Sequence, residues 1–192
     1  MTDQRSSGRR RPPCPACGRV DNYVGFADET ARNGRYGIAV AILCSCELDS
    51  TRKLVRSLVR RGQRRVHFSK QQDRDRKAFL SAIGRTRVRA LFECVTGGSQ
   101  TESRSTCWSL LVPTLIAMGV RDLRIEPVAG AEDRDRRAIR RAMAKDELLG
   151  RMSYRHVDPT DEPLLWIADS IAWSAGFGRE WLARVKGILV RP

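Results

Sequence analysis

Residues 23–43 read YVGFADETARNGRYGIAVAIL: two apolar runs joined by a polar turn, with the first run closing on the adjacent carboxylates Asp28 and Glu29. Both runs are rich in Val, Ile and aromatic residues, and Asn33-Gly34 lies between them, so the stretch predicts a β-hairpin. A strand entering a core does not ordinarily finish on acids, because a buried carboxylate is costly unless it is paired, hydrogen-bonded or metal-bound. The question is what meets Asp28.

Downstream of the hairpin, helical and extended patterns alternate. Residues 49–62 (DSTRKLVRSLVRRG) form an amphipathic helix with a basic outer face, and 64–69 (RRVHFS) read as a short strand. Residues 73–84 predict a helix, 87–95 a strand, and 103–119 a longer helix that Pro113 should kink. The run LRIEP ends a further strand, an acidic-started helix follows, RMSYRHV is a strand, and 162–176 (EPLLWIADSIAWSAG) form a buried final helix. This order implies an α/β fold: a mixed sheet with an N-terminal β-hairpin and helices on both faces, in one domain over residues 22–192. Residues 1–21 are expected to be a basic tail, disordered apart from CPACG at 14–18.

The 192 residues carry 36 Lys+Arg against 22 Asp+Glu, a formal charge of +14. A surface so basic attracts phosphate polyanions through counterion release, which makes nucleic acid the expected partner. Ordinary solvated arginine faces are the alternative source of the charge. Only 6% of residues are aromatic, and Trp166, Trp173 and Trp181 are spaced as helix-core residues, so sequence-specific base reading is not indicated. No run is long and apolar enough to span a bilayer, and the first residues lack a secretory h-region, so the expected location is the cytoplasm, where cysteines are thiols or metal ligands.

Three acids stand in apolar company: Asp28 after the first strand, Glu126 at the end of LRIE, and Asp169 inside the last helix. Grouped around magnesium or manganese they would offset one another's burial, and a pair of such ions activates water and stabilises a leaving oxygen in phosphodiester cleavage. Singly, each has a plainer role: Asp28 as a turn cap, Glu126 as an arginine partner, Asp169 as an acceptor across the core. Glu29 should face away from Asp28 on a regular strand. His67 is a candidate for phosphate binding or proton transfer, or else a histidine packed at a sheet edge; His156 reads as structural. Cys14 and Cys17, in CPACG, have the spacing of half a zinc site, and Cys44 and Cys46 are the nearest completing thiols, although one intervening residue on a strand spaces them poorly.

FADET, VHFSK, LRIEP and LLWIADSIAWSAG, taken in order, resemble an uncharacterised bacterial family with a ribonuclease H-like fold, whose members carry Asp-Glu-Ser at the end of strand one and an Ala-Asp motif in a C-terminal helix. Here Thr30 replaces the Ser. The resemblance implies a two-ion magnesium or manganese site on Asp28, Glu126 and Asp169, with Glu29 as a further ligand, and a nuclease or related phosphoryl-transfer activity. The extra carboxylate that ribonuclease H carries on its first helix has no clear counterpart: Glu47 and Asp49 precede the helix. The alternative function is a non-catalytic nucleic-acid-binding module on the same scaffold.

Overall fold

The computed structural model describes residues 13–145 and 147–190; the expected disorder of the basic tail falls, for residues 1–12, outside the described residues. The hairpin forms as expected, except that its first strand does not close on Asp28 but runs on, still paired with the second strand, to Arg32. β1 (Tyr23–Arg32) and β2 (Arg35–Cys44) pair antiparallel from Tyr23↔Cys44 to Arg32↔Arg35. They turn at Asn33 and Gly34, whose φ values of 51° and 69° are the left-handed pair that a two-residue hairpin turn requires.

β3 (Arg89–Thr96) adds antiparallel to the far side of β2, while β4 (Val120–Ile125) and β5 (Ser153–His156) add in parallel beyond β1. The sheet order is β3-β2-β1-β4-β5. β2 lies between two strands and under helices on both faces, which explains why Tyr36 to Cys44 are all buried and the run is continuously apolar rather than alternating.

Side-chain alternation divides the core in two. Val24, Phe26, Ala39, Ala41 and Leu43 point to the face covered by α1 (Leu48–Ser57), α2 (Asp73–Ile83), α5 (Leu165–Gly176) and α6 (Arg179–Val185). Tyr23, Ala27, Ile38, Val40 and Ile42 point to the face covered by α3 (Gln100–Ala117) and α4 (Glu132–Lys145). Among the described residues no helix is long and apolar enough to cross a membrane.

Two local expectations change. α3 begins at Gln100, three residues early, because Ser99 and Glu102 form a reciprocal capping box, and it continues past Pro113 to Ala117. Residues 64–70 are not a strand: Phe68–Lys70 form a 3-10 turn. The backbone N–H of Phe68 donates to Asp169 Oδ2 at 2.8 Å instead of to a neighbouring strand. The alternation read in VHF survives without a ladder, since His67 keeps extended dihedrals while Val66 and Phe68 are buried on either side of it.

Candidate active site

β1 and β4 stay in register to Ala27↔Ile125, and the Glu126 N–H donates to Ala27 O at 3.0 Å. Asp28 and Glu126 therefore emerge together where the two parallel strands part, the end of a parallel sheet at which α/β proteins gather functional groups. Asp28 shares the face of Val24 and Phe26, toward α5, and α5 lies across β1 and β2. That packing delivers Asp169 to the same opening. Asp28, Glu126, Asp169 and His67 line one cleft of about 290 Å³, with Arg65 and Trp173 also in its wall.

The three carboxyls are half-buried and influence one another. Burial raises Asp28 well above the ordinary aspartate range, and the charges of Asp169 and Glu126 push it the same way. Burial also raises Glu126, against the pull of Arg65, and lifts Asp169 to about 6 despite the Phe68 hydrogen bond. Arg65 attracts all three and sits 3.2 Å from Glu126 Oε1, so a guanidinium occupies the place where cationic charge is wanted. The Asp28 Oδ1 atom accepts the N–H of Glu29 at 2.7 Å. His67 stands at the rim with Nδ1 3.8 Å from Asp169 Oδ2, and burial together with Arg65 and Lys70 lowers its pKa.

Glu29 engages the opposite face. It accepts the Tyr36 hydroxyl at 2.6 Å and pairs with Arg104. Arg104 in turn grips Asp135 with Nε at 2.6 Å and Nη2 at 2.8 Å, and Asp135 also accepts Trp108 Nε1 at 2.9 Å and His156 Nε2 at 3.0 Å. Although burial opposes it, these donors hold Asp135 below the usual carboxylate range. Glu47 and Asp49 lie apart from the carboxylate cleft, on Arg87 and Arg52 respectively. Arg65 and the Arg104–Asp135 network carry no sequence signal beyond one arginine among many and one acid in an acidic helix start.

The architecture matches a solved structure of known type: the PCNA:RNase HII complex from Archaeoglobus fulgidus contains a chain that superposes with a TM-score of 0.55 at 18% identity, covering 85% of this chain and 75% of that one. The fold is ribonuclease H-like. No family model and no curated protein matches the chain. The likeness thus concerns the ribonuclease H-like scaffold, on which β1 just past its last pair with β4, the end of β4 and the sheet-facing side of α5 bring the three acids to one opening.

A second cluster lies at the opposite end of β1. Cys14, Cys17, Cys44 and Cys46 have sulfurs all within 4.8 Å of one another, with Cys14–Cys46 at 3.8 Å, Cys17–Cys44 at 3.5 Å and Cys44–Cys46 at 3.3 Å. A tetrahedral ion with bonds of about 2.3 Å needs sulfurs about 3.8 Å apart, so the set fits zinc. The poor spacing expected of Cys44 and Cys46 does not arise, because β2 ends at Cys44 and Ser45–Glu47 coil into a 3-10 turn that folds Cys46 back. On the other half, Cys14 O accepts the N–H groups of Cys17 and Gly18 in a tight knuckle, and Gly18 takes φ 71° to close it. Burial opposes it, but N–H groups of Ala16 and Cys17 bring the Cys14 thiol down to about 7. Among the described residues, no other set of three or more such groups is as close, and the three carboxylates stand further apart.

Proposed function

We propose that the protein is a magnesium- or manganese-dependent nuclease, or a related phosphoryl-transfer enzyme, acting on nucleic acid in the cytoplasm, with residues 22–192 as its ribonuclease H-like domain. The observation that carries this reading is the convergence of Asp28, Glu126 and Asp169 in one cleft, where burial raises all three, Asp169 raises the other two further and Glu126 raises Asp28, against the pull of Arg65 on all three and of Arg104 on Asp28. Carboxyls that repel one another are stabilised in their ionised form by a divalent cation, whose binding would release their protons. Two ions about 4 Å apart, each about 2 Å from its oxygens, are served by ligands spread over as much as about 8 Å, so carboxylates more open than the thiol cluster suit a pair better than a single ion. The divalent ions would supply an activated water and charge stabilisation at the leaving oxygen. Asp28, Glu126 and Asp169 would hold them, Glu29 would act from behind through Arg104, and His67, neutral at pH 7, would accept a proton or a phosphate hydrogen bond at the rim.

The nucleic-acid partner is supported by α4. Arg134, Arg137 and Arg141 recur at helical spacing, are exposed, have no acidic partner among the described residues, and line with Arg104 a cleft of about 380 Å³ between α3 and α4. Such a stripe reads phosphates and not bases. The four thiols form a structural zinc site, closed by four protein ligands and therefore not catalytic, that pins residues 14–18 to the end of β2.

A titration of magnesium and manganese against mixed DNA, RNA and hybrid substrates tests the assignment: Asp28→Asn and Asp169→Asn should abolish metal-dependent cleavage while the domain stays folded. Mutants that cut as well as wild type would refute it. One other reading is favoured by the Arg65 guanidinium seated 3.2 Å from Glu126 Oε1, where a cation would bind: a non-catalytic module on the same scaffold, which predicts salt-sensitive binding without turnover.

A further inference from the structure

On α5, Asp169, Trp173 and Phe177 follow at intervals of four and share one side of the helix and its C-cap. Asp169 and Trp173 belong to the carboxylate cleft, as does Thr30 of β1. Thr30 also belongs to the next cleft, of about 450 Å³, which lies between the hairpin turn and the α5–α6 junction and has Phe177 in its wall. The two clefts share a boundary because α5 approaches β1 so closely at Gly176 that a Cβ there would stand 3.0 Å from Thr30 Oγ1.

The second cleft has an unusual lining. Phe177 is 40% exposed and Leu182 38% exposed, two of the few large apolar side chains in solvent among the described residues. The Phe177 ring lies on Trp173, with centroids 3.9 Å apart and planes at 18°, and its other face carries the Arg32 guanidinium at 3.7 Å. Arg35 and Arg179 complete the wall, no carboxylate lines it, and none of the three arginines has an acidic partner among the described residues. A structural aromatic would be buried and a structural arginine paired; here a part-exposed aromatic is held flat on Trp173 and covered on its other face only by an exposed guanidinium without an acidic partner among the described residues.

We propose that this cleft is a stacking platform for a single-stranded segment of nucleic acid that enters or leaves the carboxylate cleft. A base takes the place of the Arg32 guanidinium on Phe177, Arg32 swings to the adjoining phosphate, and Arg35 and Arg179 hold the neighbouring ones. Every base has a π face, so the platform is indifferent to sequence, whereas a duplex keeps its bases stacked on each other and cannot use it. The proposal rests on the nucleic-acid reading above and adds strand state as the substrate class.

The test is fluorescence anisotropy of the full chain, without added magnesium, against a labelled mixed-sequence single strand of about twelve nucleotides and a blunt duplex of the same length. Phe177→Ala should weaken single-strand binding by about 5- to 150-fold and change duplex binding by less than about twofold. Phe177→Trp should restore it, and Arg32→Ala should lower the slope of log affinity against log salt by about 0.7. Circular dichroism of each variant separates loss of the platform from loss of fold, and Phe177→Leu, which keeps the apolar contact with Trp173, should behave as the alanine variant does. Unchanged single-strand affinity in Phe177→Ala, or an equal loss for both ligands, would overturn the platform. Cleavage assayed separately on the same oligonucleotide keeps the two readings apart: an intact platform without metal-dependent turnover refutes only the nuclease, and turnover with an inert Phe177 refutes only the platform.

Discussion

Replacing Asp169 with Asn should make the metal-free protein more stable at neutral pH while abolishing the proposed metal-dependent cleavage. Asp169 titrates near 6 in the folded chain against 3.8 as an ordinary aspartate, because burial resists its ionisation more than the Phe68 N–H and Arg65 favour it. A raised carboxyl contributes stability that is fully present below the unfolded pKa and is lost as pH rises through the folded one. From 3.8 to about 6, at about 1.36 kcal/mol per pH unit, the loss at pH 7 is about 3 kcal/mol. Asn is neutral and its amide oxygen still accepts from Phe68, so the variant avoids the penalty and keeps the contact. Urea unfolding of both proteins, zinc-loaded and without magnesium, should show the variant ahead by up to about 3 kcal/mol at pH 8 and the advantage vanishing near pH 4. Added magnesium should then stabilise wild type alone and narrow the gap. A variant no more stable than wild type at pH 8, or equally favoured at both pH values, would refute the claim that the cleft holds an unpaid charge.

Four further outcomes follow from the same structure. The purified protein should carry one zinc by atomic absorption, and Cys44→Ser or Cys17→Ser should lose the ion and lower Tm; full stability without zinc would count against the thiol site. Asp135→Ala should cost about 3–5 kcal/mol in urea unfolding, since it strands the buried Arg104 without its bidentate partner. Changing Arg134, Arg137 and Arg141 together to Ala should flatten the log–log salt dependence of nucleic-acid affinity by about 2 to 3, one counterion's worth per arginine; an unchanged slope would remove α4 from the interface. His67 should titrate below 6.5 by NMR, because burial, Arg65 and Lys70 disfavour its cation.

Much of the molecule is legible along the chain because it depends on local periodicity. The Asn33-Gly34 turn, the unbroken apolar run of β2 and the alternation of helix and strand specify a mixed sheet with helices on both faces, and the three acids stand out because each interrupts an apolar pattern. Even the VHF alternation survives where its strand does not. What the chain could not show are pairings between distant elements. That Phe68 gives its N–H to Asp169, 101 residues away, decides that residues 64–70 turn instead of joining the sheet. That β2 ends at Cys44 and coils decides that CSC can complete CPAC. That Arg104 reaches both Glu29 and Asp135 decides that the Glu29 carboxylate is paired toward α3, although Glu29 also lines the carboxylate cleft. Burial patterns are written in sequence because hydrophobicity acts residue by residue, whereas the partner of a charge is chosen by three-dimensional proximity, and only the packing of α5 across β1 brings Asp169 to Asp28 and Glu126.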